Sequence, residues 1–157
     1  MIDRHFYIDK IKHVDSLNYC YLAGQKTVGK DSIYIALAEE TDNGAFSLIA
    51  SNFSGREHAT TDADTYDALC EFINVNSGLF ASDLSKKKID MDMEPVFAYK
   101  NESVKGDFYI LPIYIEDREI NLIIAVNADI TMGKTPFNYT SKDDIEYNVH
   151  PDSKGTV

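Results

Sequence analysis

Residues 66–85 carry apolar side chains at the spacing of an α-helix, and this segment constrains the fold more than any other part of the sequence. On a helix of about 3.6 residues per turn, six of them fall on one side: Tyr66, Leu69, Cys70, Ile73, Phe80 and Leu84. We expect this side to pack on a β-sheet. A second apolar cluster lies roughly opposite and consists of Ala68, Phe72, Val75 and Leu79. The pattern predicts a long helix that is covered on two sides, or that meets another chain with its second side.

The part of the chain before this helix predicts a β-hairpin. SIYIALA (32–38) and AFSLIA (45–50) are apolar runs. The Asn43-Gly44 pair between them is typical of a tight turn that joins two strands. Residues 1–31 fit a short helix or a strand, and their pattern leaves both possibilities open.

The part of the chain after the helix predicts three strands. Residues 89–97 alternate apolar and acidic side chains, which is the period of a strand with one solvated face. FYILPIYI (108–115) and EINLIIAV (119–126) follow as two apolar runs separated by turn residues. A hairpin, a helix and three strands predict an α+β domain with a largely antiparallel sheet, one face of which the long helix covers.

The composition sets the number of domains and excludes several classes of partner. The 157 residues suit one domain, with an N-terminal segment at 1–31 and a polar C-terminal extension at 128–157, in which DIEYNV predicts a short strand. The net charge of −11 argues against a nucleic-acid ligand, because binding phosphates needs a basic surface. No signal peptide and no apolar run long enough to span a membrane is evident. The two cysteines, Cys20 and Cys70, are too few for a disulfide scaffold. Together these features predict a cytoplasmic protein.

A narrow polar strip lies between the two apolar sides of the predicted helix. Its members are Asp67, Glu71, Asn74, Gly78, Ser82 and Ser85. Glu71 and Asn74 are one turn apart and point the same way. Gly78 would let another molecule approach closely, which would offset its cost of about 1 kcal/mol relative to alanine. A solvated helix face explains the same spacing equally well, and the pattern E-x-x-N is weak, since Glu40 and Asn43 also match it in a predicted turn.

The order of these elements resembles the CheX/CheC family of chemotaxis phosphatases. The resemblance rests on YDALCEFINVNSGLFASDL at residues 66–84, on Glu94-Pro95-Val96 after the next strand, and on the two apolar strands that follow. Family members carry E-x-x-N on a long helix, a small residue one turn later and a proline-valine pair after the next strand. All of these are matched here. The likeness covers residues 32–127, which we take as a CheX-like domain core.

The resemblance implies an activity and a partner. Such proteins hydrolyse the aspartyl phosphate of CheY-like receiver domains, where the receiver itself holds Mg²⁺ and a lysine. By the resemblance, Asn74 orients the attacking water and Glu71 pairs with the receiver lysine, while Asp67, Gly78 and Ser82 contact the partner. The phosphatase then needs no cofactor of its own. A single copy of the motif implies the CheX-like arrangement, which works as a homodimer and acts on a phosphorylated response-regulator receiver.

Two other interpretations remain. Family members usually have a helix before the motif helix, whereas only a polar stretch at 52–61 fills that interval here. A catalytically degenerate module for dimerisation or receiver binding in two-component signalling is therefore the main alternative. An unrelated enzyme is the second, but the four histidines lack metal-ligand spacing. The segment Met132-Gly-Lys-Thr135 matches only the end of a phosphate-binding loop, because Ala128 stands where that loop needs glycine.

Overall fold

The structure is a computed structural model that describes residues 6–58 and 63–137. The described residues form seven strands and two helices. The strands are β1 (Phe6–Ile8), β2 (Lys12–Gly29), β3 (Ser32–Glu39), β4 (Met91–Met93), β5 (Phe97–Ile115), β6 (Arg118–Val126) and β7 (Ile130–Thr131). The helices are α1 (Ala45–Ser54) and α2 (Ala63–Lys86).

Six of the seven strands form an antiparallel sheet in the order β1-β5-β6-β3-β2-β4, and β7 also pairs with β5. The α+β class with a largely antiparallel sheet is thus confirmed. The two long strands β2 and β5 also pair with each other, from Lys12 opposite Ile110 to Gly24 opposite Phe97. Strand β2 therefore pairs with β3, β3 with β6, β6 with β5, and β5 again with β2. The pairings of these four strands form a closed ring. Much of the segment that the sequence left open is therefore a long, central strand.

Both faces of the sheet are buried. Leu22 and Ala23 are neighbours in β2, point to opposite faces, and belong to different clusters of core residues. The cluster beneath the helices contains Ala23, Phe46, Ile49, Tyr66, Leu69, Cys70, Ile73, Ala98, Ile115 and Ile120. The other cluster contains Leu22, Val104, Phe108 and Ile123, among others. The helices cover one face of the sheet, so their outer sides remain for contacts with other molecules.

The predicted hairpin at Asn43-Gly44 is wrong, because AFSLIA begins helix α1 instead of a second strand. Gly44 has a left-handed backbone (φ 83°) and stands at the N-cap. The side chain of Asn43 accepts a hydrogen bond from the N–H of Ala45 (3.0 Å), and Glu39 accepts one from the N–H of Phe46 (2.7 Å). These carboxylate and amide oxygens bind N–H groups that have no partner within a helix, so they favour a helix at this point. The helix that the sequence appeared to lack before α2 is therefore present.

The hairpin predicted after the long helix is confirmed as β5 and β6. Glu116 and Asp117 form its turn, and both have positive φ (51° and 67°), as a two-residue turn between antiparallel strands requires. The strand predicted at 89–97 is shorter than expected, since β4 covers only Met91–Met93. The strand predicted at DIEYNV lies outside the described residues. The division of the chain at residues 31 and 127 stays a prediction.

Glu39 should make the stability of the protein depend on pH. Its side chain is fully buried, and burial raises its pKa, although hydrogen bonds from the N–H groups of Phe46, Gly44 and Asn43 oppose this. A carboxyl group with a raised pKa contributes stability below its unfolded value of 4.5, and this contribution is lost as the pH rises through the folded value. Glu39→Gln does not titrate there. We expect the free energy of unfolding of the parent, minus that of this variant, to decrease as the pH rises.

Urea denaturation of the two proteins between about pH 4 and pH 8 measures that difference. Comparing the two proteins at each pH cancels the contributions of the other carboxyl groups. If the value for the parent minus that for the variant increases as the pH rises, the pKa of Glu39 is not raised.

Candidate functional site

Helix α2 presents the predicted polar strip on its exposed flank beside β4. Asp67, Glu71, Asn74 and Ser82 are exposed, and Gly78 is half-buried. The side facing the sheet buries Tyr66, Leu69, Cys70 and Ile73, as the apolar spacing predicted, whereas Phe80 and Leu84 are only partly buried. The structure therefore brings all five candidate site residues to one accessible side of one helix.

Glu71 and Asn74 differ in how firmly they are held. Among the described residues, Glu71 makes no hydrogen bond or ion pair, and its carboxylate extends from an exposed position. Asn74 is also exposed, but its side-chain Oδ1 accepts a hydrogen bond from Gln25 Nε2 at 3.0 Å. The pair thus combines a free anion with a neutral amide that is attached to the protein beneath it. This arrangement suits a partner with a cationic group next to a hydrogen-bonding site.

Gln25 of β2 joins Asn74 to the sheet. Its side chain is 3% exposed, and its Nε2 donates to the backbone oxygen of Glu94 (2.7 Å) as well as to Asn74. The N–H of Glu94 donates to the backbone oxygen of Lys26 (2.8 Å), which continues the pairing of β4 with β2. The backbone that holds Gln25 is therefore itself fixed by the edge of the sheet.

The surface beside Gly78 is open. A Cβ added at Gly78 would meet only the Cε of Met93, at 3.9 Å, which is an ordinary van der Waals contact. The described part of the chain therefore does not itself require a glycine at this position. The exposed apolar side chains of Val75 (41%), Leu79 (62%) and Met93 (39%) border the strip. The strip is thus a polar line bordered by exposed apolar side chains.

Other groups noted in the sequence have structural contacts. Across 6–58 and 63–137, no three His, Cys, Asp or Glu side chains are grouped so that they could hold a metal ion. His58 is buried, and its Nε2 lies 3.0 Å from Ser54 Oγ. The N–H groups of Lys134 and Thr135 both donate to the carboxylate of Glu102, at 2.6 and 3.0 Å. These N–H groups therefore already have an anionic partner within the chain. Neither described helix combines the length and apolar character needed to cross a membrane.

The sequence did not indicate Gln25 or the backbone oxygen of Glu94 as parts of this site. Gln25 directly follows the apolar run YCYLAG, and a lone amide in a buried strand requires a hydrogen-bonding partner. The sequence therefore indicated that Gln25 has a partner. The partner could not be identified from the sequence. Asn74 lies 49 residues further along the chain and meets Gln25 only because α2 packs on β2.

Sequence comparisons identify no relative, whereas solved structures with this fold exist. No protein-family model matches the chain, and no curated protein sequence is significantly similar to it. A CheC-like superfamily protein from Shewanella sp. PV-4 superposes with a TM-score of 0.66 at 17% identity. That alignment covers 80% of this chain and 86% of the Shewanella chain.

Two further structures are chemotaxis proteins of the CheX type. The chemotaxis protein CheX from Vibrio vulnificus has a TM-score of 0.58 at 14% identity, over 74% of this chain and 85% of that one. A CheX–CheY–BeF₃–Mg²⁺ complex from Borrelia burgdorferi contains a chain with a TM-score of 0.55 at 18% identity, over 78% of this chain and 84% of that one. The chain therefore has the fold of the CheC-like and CheX chemotaxis proteins, as the resemblance of its sequence predicted.

Proposed function

We propose that this protein is a CheX-like phosphatase that hydrolyses the aspartyl phosphate of a CheY-like response-regulator receiver. The observation that carries the proposal is the pair Glu71 and Asn74, exposed one turn apart on the flank of α2 in a protein with the CheX fold. The complex of CheX with CheY from Borrelia burgdorferi supports a receiver domain as the partner. Chemotaxis or a related two-component pathway is the corresponding context.

The chemistry requires little from the phosphatase. Water attacks phosphorus, the bond from phosphorus to the aspartyl oxygen breaks, and the products are the receiver's aspartate and inorganic phosphate, which takes up the water oxygen and both of its protons. The receiver supplies Mg²⁺ and a lysine, so the phosphatase has only to hold the water in line. Asn74 performs this role through a hydrogen bond, and Glu71 pairs with the receiver lysine. Asp67, Gly78 and Ser82 provide the surrounding contact surface.

The direct test is the release of inorganic phosphate from receivers charged with acetyl phosphate in the presence of Mg²⁺. The test uses a panel of receivers, because the fold does not specify which receiver binds. The expected result is faster release from at least one receiver when this protein is added. Failure with every receiver that binds the protein would reject the phosphatase and leave the degenerate receiver-binding module as the better interpretation. Failure to bind any receiver would reject both.

We further propose that the protein forms a homodimer through the apolar side of α2. Val75 and Leu79 are 41% and 62% exposed, more than the sheet-facing side of the helix requires. Multi-angle light scattering at high micromolar concentration should give twice the mass of one chain. Leu79→Gln should shift the mass toward the monomer. Ile11→Gln is a matched control, because Ile11 is 55% exposed and lies between β1 and β2, outside α2. A parent that is monomeric throughout would contradict the dimer.

A further inference from the structure

We infer that Gln25 is a positioning residue for Asn74: it holds the Asn74 side chain with its oxygen inward and its NH₂ group toward the partner. This inference rests on the proposed function for its catalytic meaning, while the orientation of Asn74 stands on the contacts alone. Gln25 Nε2 is the donor in both hydrogen bonds, at 2.7 Å to the oxygen of Glu94 and at 3.0 Å to Asn74 Oδ1.

The backbone oxygen of Glu94 determines which way both amides face. A carbonyl oxygen can only accept, so Gln25 must direct its NH₂ group toward Glu94. The same NH₂ group then has one hydrogen left for Asn74, and this hydrogen requires an acceptor. If Asn74 turned by 180°, two NH₂ groups would face each other. The series of hydrogen bonds from Glu94 through Gln25 to Asn74 therefore has one arrangement in which both contacts are made, and in it Asn74 offers N–H donors to the outside.

One atom of Gln25 carries a cost that an apolar side chain would not have. Its Oε1 is buried and accepts no hydrogen bond from any described residue. A buried oxygen without a partner costs free energy, and an apolar side chain of similar size would avoid that cost. The position is 3% exposed on the face of β2 that packs under α2. The amide is explained there by the two hydrogen bonds that it donates, to the backbone oxygen of Glu94 and to Asn74.

The orientation specifies how Asn74 handles the attacking water. An outward N–H donates to one lone pair of the water oxygen and leaves the other lone pair for phosphorus. If the Asn74 amide could turn freely, its oxygen would point outward part of the time. The oxygen would then accept a hydrogen bond from the water, which places the water differently. Gln25 thus increases the fraction of complexes in which the water is correctly placed.

Gln25→Met keeps the volume of the side chain and removes the donor. We expect phosphate release at saturating receiver to fall about tenfold, with binding to a beryllofluoride-loaded receiver unchanged. The melting temperature should stay within a few degrees of the parent, because the loss of the hydrogen bond to Glu94 and the removal of the unpaired Oε1 oppose each other. Thr27→Val is the matched control, since Thr27 is also 3% exposed, two residues along β2, and its hydroxyl donates to the oxygen of Ile33. In an Asn74→Ala background, Gln25→Met should cause no further loss.

Two kinetic results would overturn the inference. One is a Gln25→Met variant that hydrolyses as fast as a parent that clearly accelerates release. The other is a loss of equal size in the presence and absence of the Asn74 side chain, because a residue that acts through Asn74 has nothing to act on after Asn74→Ala. Reduced binding together with a lower melting temperature would indicate a structural role and also contradict it.

A nuclear magnetic resonance measurement on the parent separates this inference from the proposed function. The side-chain amide protons of Asn74 should exchange with solvent as rapidly as those of an exposed asparagine, and those of Gln25 slowly. The Cγ resonance of Asn74 should shift in Gln25→Met, while that of Asn76, whose NH₂ donates to the oxygen of Phe72 at 2.8 Å, should not. Protected Asn74 amide protons would overturn the orientation. A parent that releases no phosphate but shows these signals would overturn the phosphatase alone.

Discussion

Asn74→Ala should abolish most of the phosphatase activity while leaving receiver binding intact. Removing a group that orients the reacting water costs about 100-fold or more in turnover when that group acts mainly in the transition state. Alanine is the better helix former, and because Asn74 is exposed, removal of its side chain lets solvent reach the Nε2 of Gln25, so the melting temperature should stay near that of the parent. Phosphate release and binding of a beryllofluoride-loaded receiver are measured side by side.

Asn76→Ala is the matched control for this experiment. Asn76 has the same side chain, is exposed two positions later in α2, and hydrogen-bonds the oxygen of Phe72 within its own helix. Its removal should leave turnover within about twofold of the parent, as expected for a surface position without a functional contact. If Asn74→Ala hydrolyses as fast as the parent on a receiver that the parent accelerates, the role assigned to Asn74 is wrong.

Glu71→Ala should fail in a different way, through affinity. Its carboxylate has no partner among the described residues, so the free protein loses nothing when it is removed. In the complex the variant would leave the receiver lysine without its anion, and we expect a loss of about 2 kcal/mol, roughly thirtyfold in affinity. Isothermal titration calorimetry with a beryllofluoride-loaded receiver measures this loss. Turnover at saturating receiver should change much less than in Asn74→Ala.

Glu71→Gln and Asp83→Ala distinguish a specific ion pair from a general effect of charge. Glu71→Gln keeps the size of the side chain and removes its charge, so it should bind nearly as weakly as Glu71→Ala. Asp83→Ala removes one negative charge elsewhere on α2. The Oδ1 atom of Asp83 lies 3.9 Å from the Nζ atom of Lys86, and both side chains are exposed. This variant should bind like the parent, because exposed ion pairs of this kind contribute little. Equal weakening in Asp83→Ala and Glu71→Ala would contradict the proposed pairing with lysine.

The error at residues 45–50 shows where reasoning from local sequence reaches its limit. AFSLIA is apolar enough for a strand, and Asn43-Gly44 is a common hairpin turn. In the folded protein, Glu39 and Asn43 bind the first N–H groups of α1, and Gly44 adopts its positive φ at the helix start. The burial of Glu39 against those N–H groups depends on the sheet around it. Short apolar runs fit either structure until such neighbours are known.

The sequence by itself determined a long helix over residues 66–85, the β5–β6 hairpin and the polar strip that carries Glu71 and Asn74. These features follow from contacts within a few residues, since the side-chain period and the turn residues specify them locally. Only the tertiary structure decided that residues 12–29 form a central strand and that Gln25 meets Asn74. Strand pairing and the packing of a helix on a sheet join residues far apart in the chain, and no local pattern records which distant side chain completes a hydrogen bond.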